Sequence, residues 1–366
     1  MATKQPATKF AASKPALTRA QCLDTICSNY ATKRSIIFEG DTGSGKTDMG
    51  MEAAKRLGMR MVYNDCTTMQ LEDLTVPWMY EVNGMKLVQS VPHENFGIQF
   101  HEPILLVFDE VGKNRSLLPP LARVFHERKI GNYQLPVGSR VIGFTNLGSE
   151  NFGDSLAGFI RSRVNLVRYL KPDAQTWLSW GAQNNIVPAL LAAAHEMPQM
   201  FESFTDVENP QDNPYINDPR DAGRTAFVTH RSLHHLSDLL HDRDTLGYEA
   251  TLNNAIGIVG AKAAHDIMTM VTLGDTLPKY VEIVATPDKI KVPNGVGAQI
   301  MSALTCMQRV EAEEFTAVFT YIKRLPMEIQ ALFANQLMKS SSKAIWVSRN
   351  AAFTEFARKN FNLFTQ

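Results

Sequence analysis

The apolar positions in the first half of the chain predict an α/β fold with a parallel sheet flanked by helices. Short apolar runs that suit strands occur at 35–39, 59–64, 104–108 and 141–145, and helical spacing occurs at 18–30, 46–58 and 116–128. Strands that alternate with helices are typical of such a sheet. The unbroken run from Ile104 to Phe108 predicts a strand buried on both faces, in the middle of the sheet.

The second half of the chain predicts helices. Apolar residues recur with helical spacing at 186–194, 227–240, 252–270 and 315–337, the last of these interrupted by Pro326. We predict four regions: a flexible basic tail at 1–17, an α/β core at 18–171, a helical lid at 172–246, and a helical C-terminal extension at 247–366.

Two polar stretches interrupt the alternation of strands and helices in the core. Residues 65–103 are too long for a plain connection, so we expect an insertion there that contains a hairpin turning at Gly84. Residues 130–139 contain Gly131-Asn132 and Pro136, which predict a second, shorter hairpin.

Between the first predicted strand and its helix lies a match to the phosphate-binding loop pattern G-x-x-x-x-G-K-[ST]. The match consists of Gly40, Asp41, Thr42, Gly43, Ser44, Gly45, Lys46 and Thr47. Its glycines allow backbone N–H groups to converge on one anion, and the helix that follows adds its positive N-terminal end. We therefore expect ATP here, with Lys46 on the β- and γ-phosphates and Thr47 as a ligand of Mg²⁺.

Polar residues end two further predicted strands. Asp109 and Glu110 follow the apolar run 104–108, and Asn146 follows the run 141–145. Because ligands bind at the carboxyl ends of parallel strands, we expect these side chains at the phosphate site. Asp109 is predicted to hold Mg²⁺ through water, and Glu110 to orient or deprotonate the attacking water. Asn146 is predicted to contact the γ-phosphate or that water, although an Asn after a strand is more often a turn former.

Together the phosphate loop, the acidic strand, the strand that ends in Asn146 and the segment 156–164 resemble an AAA+ ATPase. Within that superfamily the chain is similar to the MoxR-like and dynein-related branch, which carries insertions where 65–103 and 130–139 lie here. The resemblance covers about residues 33–245. It implies a homo-oligomeric ring, usually a hexamer, that remodels or matures a client protein, often with a partner carrying a von Willebrand A-type metal-binding domain.

The resemblance also implies roles for arginines. Arg163 occupies the place of an arginine finger that completes the site of the next subunit, with Val164 where the family has Phe, and Arg161 is the alternative finger. Arg231 occupies the place of an arginine that reaches back from the lid to the γ-phosphate of its own subunit, and His230 replaces the usual proline before it. The alternative for the two finger candidates, Arg163 and Arg161, is a surface arginine paired with a carboxylate.

The amino-acid composition bears on which kind of partner the chain binds and on the compartment in which it lies. The 366 residues include 37 basic and 37 acidic side chains, so net charge gives no general attraction to nucleic acid or membranes. A nucleic-acid motor and an ATP-dependent assembly scaffold with little turnover nevertheless stay open as alternatives. Four scattered cysteines match neither a zinc site nor a secreted disulfide scaffold, and the sequence shows no apolar span or signal peptide. We expect a cytoplasmic protein.

For the remaining aromatic residues and histidines, the sequence favours packing and surface roles over catalytic or metal-binding roles. We expect Trp177 and Trp180 in the core of the lid. The histidines of 230–241 lack a carboxylate at matched spacing, which favours surface and packing roles over a metal site. Phe353, Phe356 and Phe364 lie near one predicted helical face, where we expect them to pack on the chain itself, with a docking surface as the alternative.

Overall fold

The computed structural model describes residues 16–147, 158–221 and 223–360, without the side chain of Phe159. The chain divides into two compact units, Met1–Lys171 and Pro172–Gln366. The strands of the first unit are β1 (Ala16–Leu17), β2 (Ile36–Gly40), β3 (Arg60–Asp65), β4 (Thr75–Val82), β5 (Met85–Pro92), β6 (Ile104–Asp109), β7 (Lys129–Ile130), β8 (Tyr133–Gln134), β9 (Arg140–Asn146) and β10 (Asn165–Tyr169). Its helices are α1 (Arg19–Cys27), α2 (Lys46–Leu57), α3 (Leu118–Glu127) and α4 (Gly158–Arg161).

Six strands form one parallel sheet in the order β1-β10-β2-β9-β6-β3. This confirms the predicted α/β fold. Strand β9 lies between β2 and β6, so the strand that ends in Asn146 separates the phosphate-loop strand from the acidic strand. In register, Gly40 pairs with Asn146, and Asp65 pairs with Asp109.

Every residue of β6 is buried, and its side chains alternate between the two faces of the sheet, as its apolar run predicts. Ile104, Leu106 and Phe108 belong to a cluster on one face, which includes Phe125 of α3. Leu105 and Val107 belong to a cluster on the other face, which includes residues of α1 and α2. Because each face of the sheet is covered by a helix layer, the carboxyl ends of the strands form a fixed edge.

The predicted insertion contains the hairpin of β4 and β5, which turns through Asn83 and Gly84, both with positive φ. The second predicted hairpin is present as the short pair β7 and β8. Gly131 in that turn has φ +57°, and a Cβ there would lie 2.5 Å from the carbonyl oxygen of Ser90. The turn of the small hairpin therefore approaches the base of the large one too closely for any side chain.

The second unit is helical, as predicted. Its helices are α5 (Ala174–Gln183), α6 (Pro188–Glu196), α7 (His230–His241), α8 (Arg243–Leu246), α9 (Tyr248–Val259), α10 (Ala261–Asp275), α11 (Tyr280–Ala285), α12 (Val296–Arg309), α13 (Phe315–Ile322), α14 (Met327–Lys339), α15 (Ser341–Val347) and α16 (Ala351–Lys359). One buried cluster runs through this unit from Trp177 to Phe356. The ranges predicted as lid and C-terminal extension thus contribute to the same core, and the boundary between them stays a prediction.

The structure corrects three details of the predictions. Ala16 and Leu17, assigned to the tail, form β1 because they pair with the end of β10. The helical pattern 252–270 divides at Gly260, which has φ +87° and would place a Cβ 2.7 Å from the carbonyl oxygen of Ala226. Trp180 was expected in the core but is 40% exposed, edge-on to His234, whereas Trp177 is buried.

The expected packing of the C-terminal aromatics is confirmed for Phe353 and Phe356. Their rings contact Phe319, and Phe353 also contacts Phe315. Phe364, the tail at 1–15, and Leu156-Ala157 of the segment 156–164 lie outside the described residues. Within the described ranges, every helix is too short or too polar to cross a bilayer.

Candidate functional site

The phosphate loop connects β2 directly to α2, which is the arrangement that the motif requires. Gly43 and Gly45 have φ of +67° and +83°, in the left-handed region that favours glycine. Gly45 is the N-cap of α2, so no side chain caps the first N–H groups of the helix. This leaves the positive end of α2 open to an anion. Thr42 and Gly43 are partly exposed at the bend of the loop.

Internal contacts hold the loop in shape. The Ser44 hydroxyl donates to the Asp41 carbonyl at 2.7 Å, and the Tyr169 hydroxyl, at the end of β10, donates to the Ser44 carbonyl at 3.1 Å. Burial raises the pKa of Tyr169 to about 12, so its hydroxyl stays protonated at neutral pH. A Cβ at Gly40 would lie 3.1 Å from the Tyr169 ring, which makes glycine the residue that fits there.

Arg19 adds a contact from outside the loop. Its guanidinium, on α1, donates to the Gly45 carbonyl at 3.2 Å and to a Glu52 carboxylate oxygen at 3.0 Å. Sequence reasoning missed both Arg19 and Tyr169 as supports of the loop. Neither belongs to a motif, and their proximity to the loop depends on where β10 and α1 lie beside β2.

Lys46 is buried and lies at the centre of the site. Its Nζ donates to the Gly40 carbonyl at 3.0 Å, to the Asp41 carbonyl at 2.7 Å, and to Oδ1 of Asn146 at 2.9 Å. The last bond connects the loop to the end of β9. An ammonium group at this position attracts a phosphate group strongly in such a buried setting.

Asn146 also contacts Glu110. Its Nδ2 donates to both carboxylate oxygens of Glu110, at 2.9 and 3.1 Å. Glu110 has φ +53°, a conformation that is uncommon for a residue with a side chain and that clusters at functional sites. Lys46, Asn146 and Glu110 thus form one continuous chain of hydrogen bonds from the start of α2, through the end of β9, to the residue after β6.

Thr47 and Asp109, the two residues predicted to hold Mg²⁺, are hydrogen-bonded to each other. The Thr47 hydroxyl donates to Oδ2 of Asp109 at 2.8 Å, and the Glu110 backbone N–H donates to Oδ1 at 2.9 Å. A hydroxyl and a carboxylate side by side are oxygen ligands of the kind that Mg²⁺ prefers. Across the described residues no group of three His, Cys, Asp or Glu side chains could hold a metal alone. The Thr47–Asp109 pair fits an Mg²⁺ that takes its other ligands from phosphates and water.

Two residues beside Asp109 lie in the site although sequence reasoning did not select them. The Tyr63 hydroxyl, on β3, donates to Oδ2 of Asp109 at 3.1 Å. The backbone N–H of Cys66 donates to the Asp109 carbonyl, and burial, together with the charges of Asp65, Asp109 and Glu110, raises the pKa of the Cys66 thiol to about 12. The alternation of β3 places Tyr63 on the same face of the sheet as Met61 and Asp65, but its contact with Asp109 also requires that β3 lies beside β6.

The predicted arginines come later in the sequence than the residues of this hydrogen-bonded chain. Arg161 ends α4, and the exposed Arg163 follows it, with its backbone N–H bonded to the Ile160 carbonyl. Arg231 is exposed in the first turn of α7, in the second unit. Thr229 caps that helix through a reciprocal bond with Ser232, so the helix begins without the usual proline.

The histidines of α7 make packing contacts, as predicted. His230 Nε2 lies 2.9 Å from the Pro172 carbonyl oxygen with its ring against Phe201, and His241 Nε2 lies 3.0 Å from the Asn185 carbonyl oxygen. His234 faces Trp180. The partners of these three histidines are carbonyl oxygens and aromatic rings.

Comparison with known proteins gives a weak likeness in structure. No protein-family model and no curated protein sequence matches the chain. The solved structure of the Thermotoga maritima RuvB Holliday junction branch migration motor is 15% identical over 84% of this chain and 85% of that chain, with a TM-score of 0.36. A point mutant of the same protein gives a TM-score of 0.37 at the same identity. These scores are too low to transfer an activity to this chain.

Proposed function

We propose that the chain is a Mg²⁺-dependent ATP phosphohydrolase of the AAA+ type. The observation that carries this proposal is the hydrogen-bonded chain of Lys46, Asn146 and Glu110 beside the pair of Thr47 and Asp109. An ATP site needs a cation for the phosphates, oxygen ligands for Mg²⁺ and a base for water. All three lie at one edge of the sheet.

Each side chain has a definite task in this proposal. Lys46 neutralises charge on the β- and γ-phosphates, and Thr47 and Asp109 hold Mg²⁺, which when bound draws electron density from the phosphate oxygens. A carboxylate oxygen of Glu110 accepts the proton of the attacking water. Asn146 orients Glu110 and is proposed to contact the γ-phosphate or the attacking water.

The proposal also gives the arginines two roles, one across a subunit interface and one within a subunit. Arg163 is the proposed finger that stabilises developing phosphoryl charge in the neighbouring subunit, with Arg161 as the alternative. Arg231 is proposed to contact the γ-phosphate in its own subunit. These roles rest on the AAA+ resemblance, as do the hexameric ring and the assignment to the MoxR-like branch. A partner with a von Willebrand A-type domain also rests on the resemblance alone.

The hairpin β4–β5 favours a protein client over nucleic acid. Trp78, Met79, Met85 and Val88 are 63–72% exposed on it, an unusual amount of apolar surface for one ribbon. Its only charged residues, Glu81 and Lys86, face each other as a cross-strand pair, so the ribbon has no net charge. A phosphate backbone needs basic side chains, whereas an extended polypeptide with apolar side chains needs an apolar surface. We propose the latter as the client chemistry.

The four cysteines support a reducing compartment. Cys22, Cys27, Cys66 and Cys306 are all free thiols, and three of them are buried. Free thiols persist where glutathione and thioredoxin keep them reduced. We propose a cytoplasmic location on this ground.

Phosphate release from Mg²⁺-ATP by the purified full chain tests the proposed activity. Wild type should hydrolyse ATP, and Lys46→Ala should lower the rate by about 100-fold or more. Lys55→Ala, an exposed lysine of the same helix, is the matched control and should leave the rate unchanged. Absence of phosphate release from the wild type would favour the assembly scaffold, provided that the particle mass rises with ATP.

Stimulation of the ATPase separates the two kinds of client. A reduced and alkylated polypeptide that cannot refold should raise the rate, and replacing Trp78 and Met79 together by serine should remove that effect. Stimulation by single-stranded or duplex DNA, weakened steeply by salt, would instead support the nucleic-acid motor.

A further inference from the structure

The side-chain carboxylate of Asp109 accepts hydrogen bonds from three donors. Its Oδ2 accepts from the Thr47 hydroxyl at 2.8 Å and from the Tyr63 hydroxyl at 3.1 Å, while Oδ1 accepts from the Glu110 N–H at 2.9 Å. The Thr47 and Glu110 contacts come from the phosphate loop and from the chain neighbour of Asp109. Tyr63 alone among these donors comes from β3, the strand at the far edge of the sheet.

The position of Tyr63 follows from the pleat and register of β3. Tyr63 lies two residues after Met61, which packs with the cluster beneath α2, and two before Asp65, the register partner of Asp109. Side chains two apart in a strand share a face, so Tyr63 lies on the face that α2 covers. Thr47 lies in the first turn of α2, which brings both hydroxyls to the same carboxylate oxygen.

We propose that Tyr63 is a positioning residue that orients the Asp109 carboxylate for Mg²⁺. This inference rests on the proposed ATPase function and adds a residue to its metal site. The Glu110 N–H and the Thr47 hydroxyl each hold one oxygen of this carboxylate. The Tyr63 hydroxyl adds a donor from a different strand to Oδ2, which restricts rotation about the Cβ–Cγ bond further and would keep the oxygens directed to water bound on the metal.

A positioning role predicts an effect on the metal that a structural role does not. Tyr63 is 45% exposed, so its ring contributes little to the core. Removing the hydroxyl should weaken metal binding, whereas nucleotide binding without metal and the unfolding temperature should stay the same. The hydrogen bond is partly exposed, so we expect an effect of about threefold.

Binding of Mn²⁺ in the presence of saturating ADP tests the proposal without relying on turnover. Mn²⁺ uses the same oxygen ligands as Mg²⁺, and electron paramagnetic resonance reports its free concentration. The full-length proteins to compare are wild type, Tyr63→Phe, Asp109→Asn and Tyr30→Phe. Tyr30 is the matched control, since it is 48% exposed and lies in the turn before β2, outside the site.

The proposal expects Tyr63→Phe to need about threefold more Mn²⁺ for half saturation, with Tyr30→Phe unchanged and Asp109→Asn weakened further. Wild-type Mn²⁺ binding in Tyr63→Phe, together with weak binding in Asp109→Asn, would overturn it. A fall in metal-free ADP affinity or in unfolding temperature would also overturn it, because Tyr63 would then be structural. If wild type binds no Mn²⁺ in the presence of ADP, the ATPase proposal fails, and this inference fails because it rests on that proposal.

Discussion

The side-chain amide of Asn146 donates to both carboxylate oxygens of Glu110, at 2.9 and 3.1 Å. The other atom of the same amide, Oδ1, accepts from Lys46 at 2.9 Å. One residue at the end of β9 thus connects the proposed base to the proposed phosphate-binding cation. This is possible because β9 lies between β2, which leads into the loop before Lys46, and β6, which ends just before Glu110.

Replacing Asn146 by alanine should separate ATP binding from hydrolysis. Lys46 keeps its two loop carbonyl partners, so the dissociation constant for ATP should change by less than about threefold. Glu110 loses its restraint, so kcat should fall by about tenfold or more. Nucleotide titration and single-turnover hydrolysis measure the two effects. Equal hydrolysis in Asn146→Ala and wild type would show that the amide does not orient the base.

Mixed oligomers test whether Arg163 acts across an interface. Lys46→Ala subunits should retain the arginine but fail to hold ATP, and Arg163→Ala subunits should hold ATP but lack the finger. Each variant alone should be nearly inactive, and mixing them should restore part of the activity, since some sites combine an intact loop with an intact arginine. Arg161→Ala in place of Arg163→Ala is the matched comparison. Absence of recovery in either mixture would argue against an arginine supplied in trans.

Alkaline pH should destabilise the α/β unit partly through Cys66. Burial, reinforced by Asp65, Asp109 and Glu110, raises the pKa of this thiol from 9.0 to about 12. A folded-state pKa above the unfolded value gives a stabilising contribution that is full below about pH 9 and is lost as pH rises toward 12. The slope per such group is about 1.4 kcal/mol per pH unit.

Urea unfolding between pH 8 and 11 measures this effect. Cys66→Ala should reduce the pH dependence of the free energy of unfolding. Cys27→Ala, which removes a less buried thiol, should reduce it less. The same pH dependence in Cys66→Ala and wild type would exclude Cys66 as a contributor.

Lys343 should stabilise the helical unit by capping a helix. Its Nζ donates to the carbonyl oxygens of Met307, Gln308 and Val310, at 2.9, 2.9 and 3.0 Å, at the C-terminal end of α12. Lys343→Met keeps the aliphatic stem but removes the donors, and should lower the free energy of unfolding by about 1–3 kcal/mol. Lys339→Met, which removes one exposed bond to Ser179, should cost less. Equal stability of the two variants in thermal unfolding would contradict the capping role.

Local sequence patterns predicted the helices and strands well. They did not predict the side-chain contacts that depend on which strands lie side by side. The run Ile104–Phe108 implied a doubly buried strand, and the loop motif implied the turn between β2 and α2. Tyr63 and Tyr169 were not found, because their contacts with Asp109 and Ser44 depend on strand order, which periodicity does not contain. Trp180 was misplaced because helical spacing gives a face but not what covers it.

The most direct test of the proposed chemistry is rapid-quench cleavage of ATP by wild type and Glu110→Gln under single-turnover conditions. Glutamine keeps the size of the side chain and removes its capacity to accept a proton. The account predicts that Glu110→Gln binds Mg²⁺-ATP with wild-type affinity but cleaves it at least about 100-fold more slowly. Cleavage at the wild-type rate by Glu110→Gln would contradict the assignment of Glu110 as the base.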